Sequence, residues 1–107
     1  MKREKYLYLT KAVERYYKNN VYGNKFLDMT TIRKKLTRNF LCGEVTFKKD
    51  NICIVQYGKL TIKADLKRNL IIYIKNRKDK HFNNKIDKRK IKYLNCLFGL
   101  NKEDNNE

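Results

Sequence analysis

Proline and tryptophan are missing altogether from this chain of 107 residues, and it holds one histidine, three cysteines and four glycines. With no proline and no Gly/Ser-rich run, nothing marks a linker. A chain this short has room for one domain around one modest core, so residues 1–100 read as a single unit and 101–107 as a polar, disordered tail. Cys42, Cys53 and Cys96 form no C-x-x-C pair, and His81 stands alone, so the ligand sets that hold zinc are absent. No metal and no cofactor is expected. Three cysteines in such a chain read as reduced, mostly buried thiols of a cytosolic protein. No apolar run approaches the ~20 residues that span a bilayer. The basic start "MKREKYLYLT" is followed by too short an apolar stretch for a secretory signal. A cytoplasmic protein without a membrane partner is the expectation.

Acidic residues are also scarce. Eleven Asp and Glu face 27 Lys and Arg, a formal charge of +16. Such a field draws polyanions and raises their encounter rate, which makes nucleic acid the default partner and an acidic membrane or acidic protein the alternative. The 20 Lys and 13 Asn fit an AT-rich coding bias. That bias explains the preference for Lys over Arg better than the shortage of acids.

Along the chain, Tyr6, Leu9, Val13, Tyr16 and Tyr17 recur at spacings of three and four, which predicts a helix over 2–20. "DMTTIRKKLTRNF" predicts a second helix, capped by Asp28 or Thr30, with Met29, Ile32, Leu36 and Phe40 inward. Arg33, Lys34, Lys35 and Arg38 then fall on the wet side, and Gly43 ends the unit. From residue 44 the period changes to two. "EVTFKK" points Val45 and Phe47 the same way, "NICIVQY" is apolar enough to be central, and "KLTIKAD" turns Leu60, Ile62 and Ala64 inward. "LIIYIKN" sends Leu70, Ile72 and Ile74 to the core and Tyr73 to the other face. Residues 77–92 hold eight cations against Asp79 and Asp87, first as a loop and from about 84 as a helix with Ile91, Leu94 and Phe98 on one side. The expected class is α+β: two N-terminal helices, a four-stranded antiparallel meander packed on them, and a C-terminal helix.

The order of elements, with "YGKLTIKAD" and "NLIIYI" over about residues 28–76, resembles the barnase–EndoU–colicin–RelE group of metal-independent ribonucleases, closest to its small RelE-like toxins and their phage and plasmid relatives. The resemblance implies attack of a ribose 2′-oxygen on the adjacent phosphate, which needs a base, an acid and cations for the charged phosphorane. It also implies candidates: Lys11 and Arg15 of "TKAVER" at the positions of an H-A-x-x-R motif, Tyr73 to orient the nucleophile, and Lys63 to balance charge. The chain departs from that motif where Lys11 replaces His. A lysine base requires strong desolvation, so the departure argues against cleavage.

Three readings follow from the residues. The favoured one is a non-enzymatic protein that binds RNA or DNA mainly through phosphates, using Arg33, Lys34, Lys35, Arg38, Arg77, Lys78, Lys80, Lys88, Arg89 and Lys92. His81, Phe82 and Tyr93 lie beside that run and are available for stacking. The second is the RelE-like ribonuclease or toxin, which would have an acidic antitoxin as partner. The third is a phage or mobile-element inhibitor of a host nucleoprotein such as a CRISPR effector. Oligomeric state is not legible in the residues.

Overall fold

The computed structural model describes residues 6–21, 28–77 and 86–100. The candidates Lys78, Lys80, His81 and Phe82 and the tail 101–107 lie outside the described residues. Three helices and a five-stranded mixed sheet make up an α+β fold: β1 (Tyr8–Leu9), α1 (Lys11–Asn20), α2 (Met29–Cys42), β2 (Glu44–Lys49), β3 (Ile52–Tyr57), β4 (Leu60–Asp65), β5 (Leu70–Asn76) and α3 (Lys88–Phe98). Strands lie in the order β1-β5-β4-β3-β2. β2 to β5 form an antiparallel meander, while β1 runs parallel to β5 at the far edge.

The fifth strand corrects the expected four-stranded antiparallel sheet and the expected helix over 2–20. Periodicity alone placed Tyr6 and Leu9 on a helix face, but Thr10 is extended (φ −72°, ψ 159°) and caps α1, its hydroxyl accepting from Val13 N at 3.1 Å. A threonine cap satisfies an amide at the helix end and fixes where the helix begins. Upstream of it, the backbone of 6–9 is claimed by other elements. Leu7 N donates to Thr37 Oγ1 at 2.8 Å, Tyr8 N donates to Asn69 O at 2.7 Å, and Arg33 donates to the carbonyls of Leu7 and Tyr6.

The other helices follow their local signals closely. Asp28 caps α2, accepting from Thr31 N at 2.9 Å, and the hydrogen bonds from Thr31 hold its carboxyl below the usual value. α3 starts at Lys88, later than expected, because Asp87 is its cap and accepts from Lys90 N at 3.0 Å. Gly99 closes it in the left-handed region at φ 75°, with Leu100 N donating back to Asn95 O at 2.7 Å. Glycine reaches that conformation without steric cost and is the usual residue after a helix end. Gly58, at φ 58°, opens the two-residue turn between β3 and β4.

α1 and α2 cover one face of the sheet. Val13, Tyr17, Ile32 and Leu36 pack there against Leu60, Ile62, Ala64, Ile71 and Ile74. Burying each of the larger of these side chains contributes about 1.5–3 kcal/mol before ordering costs. α3 docks on α2 through a smaller cluster of Cys42, Leu94, Phe98 and Leu100. No helix among the described residues is long and apolar enough to cross a membrane.

Two irregularities in the ladder revise which side chains share a face. A register shift lies between Val45 and Phe47 on β2, so Val45 pairs with Val55 and Phe47 with Ile54. The two side chains therefore belong to opposite faces rather than pointing the same way. A second shift, opposite Lys63 and Ala64, pairs Lys63 with Tyr73 but Ala64 with Ile71. On β5 it is Ile71 and Ile74 that are buried, in place of the expected Leu70, Ile72 and Ile74. An extra residue in one strand resets the alternation of two, as bulges do.

Candidate nucleic-acid interface on the open sheet face

The second face of the sheet carries no helix among the described residues. Its central row crosses four strands through the register pairs Phe47–Ile54, Ile54–Lys63 and Lys63–Tyr73. Phe47 and Tyr73, at the two ends of the row, are each 47 % exposed, an unusual state for aromatic rings in a sheet. The half-buried Ile54 and Lys63 fill the middle. A cleft of about 410 Å³ is lined by Ile54, Thr61, Lys63, Ile72, Tyr73 and Arg77. A second, of about 480 Å³, lies beside it and is lined by Phe47, Lys49, Asp50, Ile52, Ile54 and Lys63.

Arg77 is held at this face by a polar chain. Its Nε donates to Thr61 Oγ1 at 3.1 Å, the Thr61 hydroxyl donates to Gln56 Oε1 at 2.6 Å, and Gln56 Nε2 donates to Gly58 O at 3.0 Å. Gln56 and Thr61 are both buried, so the chain operates away from bulk water, where hydrogen bonds orient side chains firmly. The backbone contributes as well, since Arg77 N donates to Lys59 O at 2.8 Å. Lys75 is exposed on the same row as Thr61 and Gln56. Of the acids at this face, Asp65 is engaged by Arg68 at 2.9 Å, and that hydrogen bond holds its carboxyl below the usual value. Glu44 and Asp50 are exposed.

The candidates named from the sequence are dispersed. Lys63 and Tyr73 meet as a cross-strand pair, and Arg77 joins them in one cleft. Lys11 and Arg15 are exposed on α1 and do not line it. It is Ala12, Val13 and Tyr16 of that helix that border Tyr73, in a neighbouring cleft of about 250 Å³. Lys88, Arg89 and Lys92 are exposed on α3 with Tyr93, which is 55 % exposed. That helix packs on α2, away from the helix-free sheet face.

The cations of α2 require a correction. Arg38 and Lys35 are buried rather than on the wet side, and Arg38 is fully so. Arg38 donates from Nε and Nη2 to Asn39 Oδ1 at 3.0 and 2.7 Å, and from Nη1 to Asn95 Oδ1 at 2.9 Å. Arg33 is half-buried, its guanidinium bonded to the carbonyls of Leu7 (2.9 Å) and Tyr6 (3.2 Å) and stacked 4.4 Å from the Tyr8 ring centroid. Lys34 lies 5.8 Å over the Tyr6 ring. The face expected to be solvated is covered by β1 and α3, and its arginines serve as ties between elements.

Phe47 and Lys49 belong to the open face without having been singled out from the sequence as binding residues. The signal was present in "EVTFKK", but reading it required knowing that the strand is interrupted between Val45 and Phe47. Among the described residues, no group of three or more His, Cys, Asp or Glu side chains is placed to hold a metal ion.

Neither the curated proteins nor the solved structures hold a match to the chain. The model of one protein family, YorE, matches residues 7–97, and the chain belongs to the YorE family.

Proposed function

We propose that the protein binds nucleic acid, RNA or DNA, without cleaving it, and that the helix-free face of the sheet is where it does so. The observation that carries this reading is the Phe47–Ile54–Lys63–Tyr73 row, flanked by Lys49, Lys75 and the tethered Arg77, in a chain of net charge +16. Cations held on a rigid sheet neutralise phosphates and release their counterions, which supplies most sequence-independent affinity. The α3 cations Lys88, Arg89 and Lys92 are a second set that a long polymer can reach.

Titrating binding against salt tests the reading. Affinity falls steeply between 50 mM and 0.5 M salt, and Lys49→Ala, Lys63→Ala and Lys75→Ala together reduce the log–log salt slope by roughly 0.7–0.9 per lost phosphate contact. The triple Lys88, Arg89 and Lys92 to Ala variant is the comparison that tells which set dominates. Binding unaffected by 0.5 M salt would defeat the proposal.

A second reading is favoured by one geometric fact: Lys63, Tyr73 and Arg77 converge in a single cleft. That trio suits a RelE-like ribonuclease, with Arg77 in a charge-stabilising role. Cleavage of a mixed RNA substrate in EDTA, abolished by Tyr73→Phe, would establish it. The reading of a phage-derived inhibitor of a host nucleoprotein has no comparable geometric support.

A further inference from the structure

We infer that the open sheet face takes single-stranded rather than duplex nucleic acid, with Phe47 and Tyr73 as base-stacking side chains and Lys63 as the phosphate contact between them. The inference rests on the binding reading above and specifies its ligand. Three features of the face lead to it. Phe47 and Tyr73 are exposed at opposite ends of one cross-strand row. Adjacent strands lie about 4.8 Å apart, so three steps separate the two positions by about 14 Å. That is about four base-stacking steps of ~3.4 Å, and fewer nucleotides if the strand is stretched. Aromatic rings at that separation can each hold one base of a short segment, while the polymer backbone passes over the row between them.

Much of the floor around Lys63 is apolar. Ile52, Ile54 and Ile72 are half-buried there, lining the two clefts. A duplex presents phosphates and groove edges, with its base faces stacked inside, and would leave this floor and both rings without a complement. An unpaired strand offers base faces to the rings and phosphates to Lys63, Lys49 and Arg77. Stacking of this kind tolerates any base, because every base has a π-face. Lys49, Lys63, Lys75 and Arg77 outnumber Glu44 and Asp50 on the face, so charge complementarity favours a polyanion over a neutral or basic peptide.

The experiment uses the full chain and fluorescence anisotropy with four probes of equal phosphate number: oligo(dT), oligo(U), an abasic strand and a blunt duplex. The base-bearing strands bind at least about fivefold more tightly than the abasic strand and the duplex, and a duplex bound as tightly as oligo(dT) would overturn the inference. Phe47→Ala and Tyr73→Ala each lose at least about fivefold on the base-bearing strands, keep their affinity for the abasic strand, and leave the salt slope unchanged. Tyr73→Phe retains binding, since the ring is kept. Circular dichroism confirms that each variant is folded, and Val45→Ala serves as an exposed control on the opposite face. Equal affinity for all four probes would overturn the stacking inference while leaving phosphate binding intact. Failure to bind any of them, with capture of an acidic peptide at this face instead, would overturn both.

Discussion

Arg38 of α2 donates from Nη1 to the side-chain oxygen of Asn95 on α3 at 2.9 Å, and its Nε and Nη2 engage Asn39 within α2. A fully buried guanidinium therefore ties the third helix to the second. Hydrogen bonds to charged groups contribute about 1.5–3 kcal/mol, and a buried donor deprived of its acceptor is costly. Asn95→Ala is expected to lower the unfolding free energy by an amount in that range. Arg38→Lys should be at least as damaging, because an ammonium cannot reproduce the planar fork. Urea denaturation of the two single variants and the double variant gives the coupling directly. Purely additive losses would show that the two side chains are not energetically linked.

A second contact depends on the absence of a side chain. Gly43 sits between the end of α2 and the start of β2 with an ordinary φ of −78°, so its backbone is one any residue can adopt. Space is what limits it. A Cβ there would run into Val55 Cγ1 and stand 2.9 Å from Gln56 O and 3.0 Å from Asn39 O. Two of those neighbours are backbone carbonyls fixed by the sheet and the helix. Gly43→Ala should therefore cost about 1–3 kcal/mol through overpacking, despite the better helix propensity of alanine. Thermal unfolding checks this: a variant as stable as the parent would mean that the helix–sheet junction yields easily.

Much of the fold is legible in the residues, and its departures share a physical origin. Asp28 and Gly99 mark helix ends because capping is local chemistry, whereas the cap at Asp87 sets the start of α3 later than the periodicity suggests. The apolar stripes of α2 and α3 and the hairpin at Gly58 are local in the same sense. What the pattern misses depends on contacts remote in sequence. β1 is placed by Thr37 and Arg33, 26 to 30 positions away, which satisfy backbone groups of Tyr6 and Leu7, and by Asn69 O, which accepts from Tyr8 N. Arg38 and Lys35 are buried because α2 is covered on more than one side, which a single helix cannot announce. The site was half visible: Arg77 stands in the basic run, alternation sets Tyr73 on the face away from the core, and the RelE-like resemblance makes Lys63 and Tyr73 candidates. Phe47 could not be named, since a break in the β2–β3 register decides its face.

The clamp on β1 yields a third expected outcome. Arg33 bonds two consecutive carbonyls, at Tyr6 and Leu7, and stacks on Tyr8. Arg33→Lys keeps the charge but loses the paired donors and the planar stack. β1 is only two residues long and pairs with β5 alone, so the clamp is a large share of what holds it. Amide exchange at Tyr8, whose N–H is bonded to Asn69 O, should accelerate by at least about tenfold, while amides in β3 and β4 stay protected. Equal acceleration throughout the sheet would instead mean that the clamp supports global stability.

The thiols supply a prediction with a definite pH sign. Cys42 and Cys53 are buried, and desolvation pushes both thiols up from their ordinary value, partly opposed by Lys90 and Arg38 at Cys42 and by Lys48 at Cys53. Cys96 is exposed. At pH 7.5 a maleimide should therefore modify one thiol rapidly and the other two only on unfolding. A raised pKa means that the folded state favours the neutral thiol. Its contribution to stability is complete below the unfolded thiol value of ~8.5 and is lost as pH rises through the folded value. Stability of the parent chain should fall as pH goes from about 8 towards 10. Cys42→Ala combined with Cys53→Ala should flatten that limb, at the cost of some packing at neutral pH. If the double variant loses stability with the same alkaline slope, tyrosines and lysines rather than the buried thiols govern the decline.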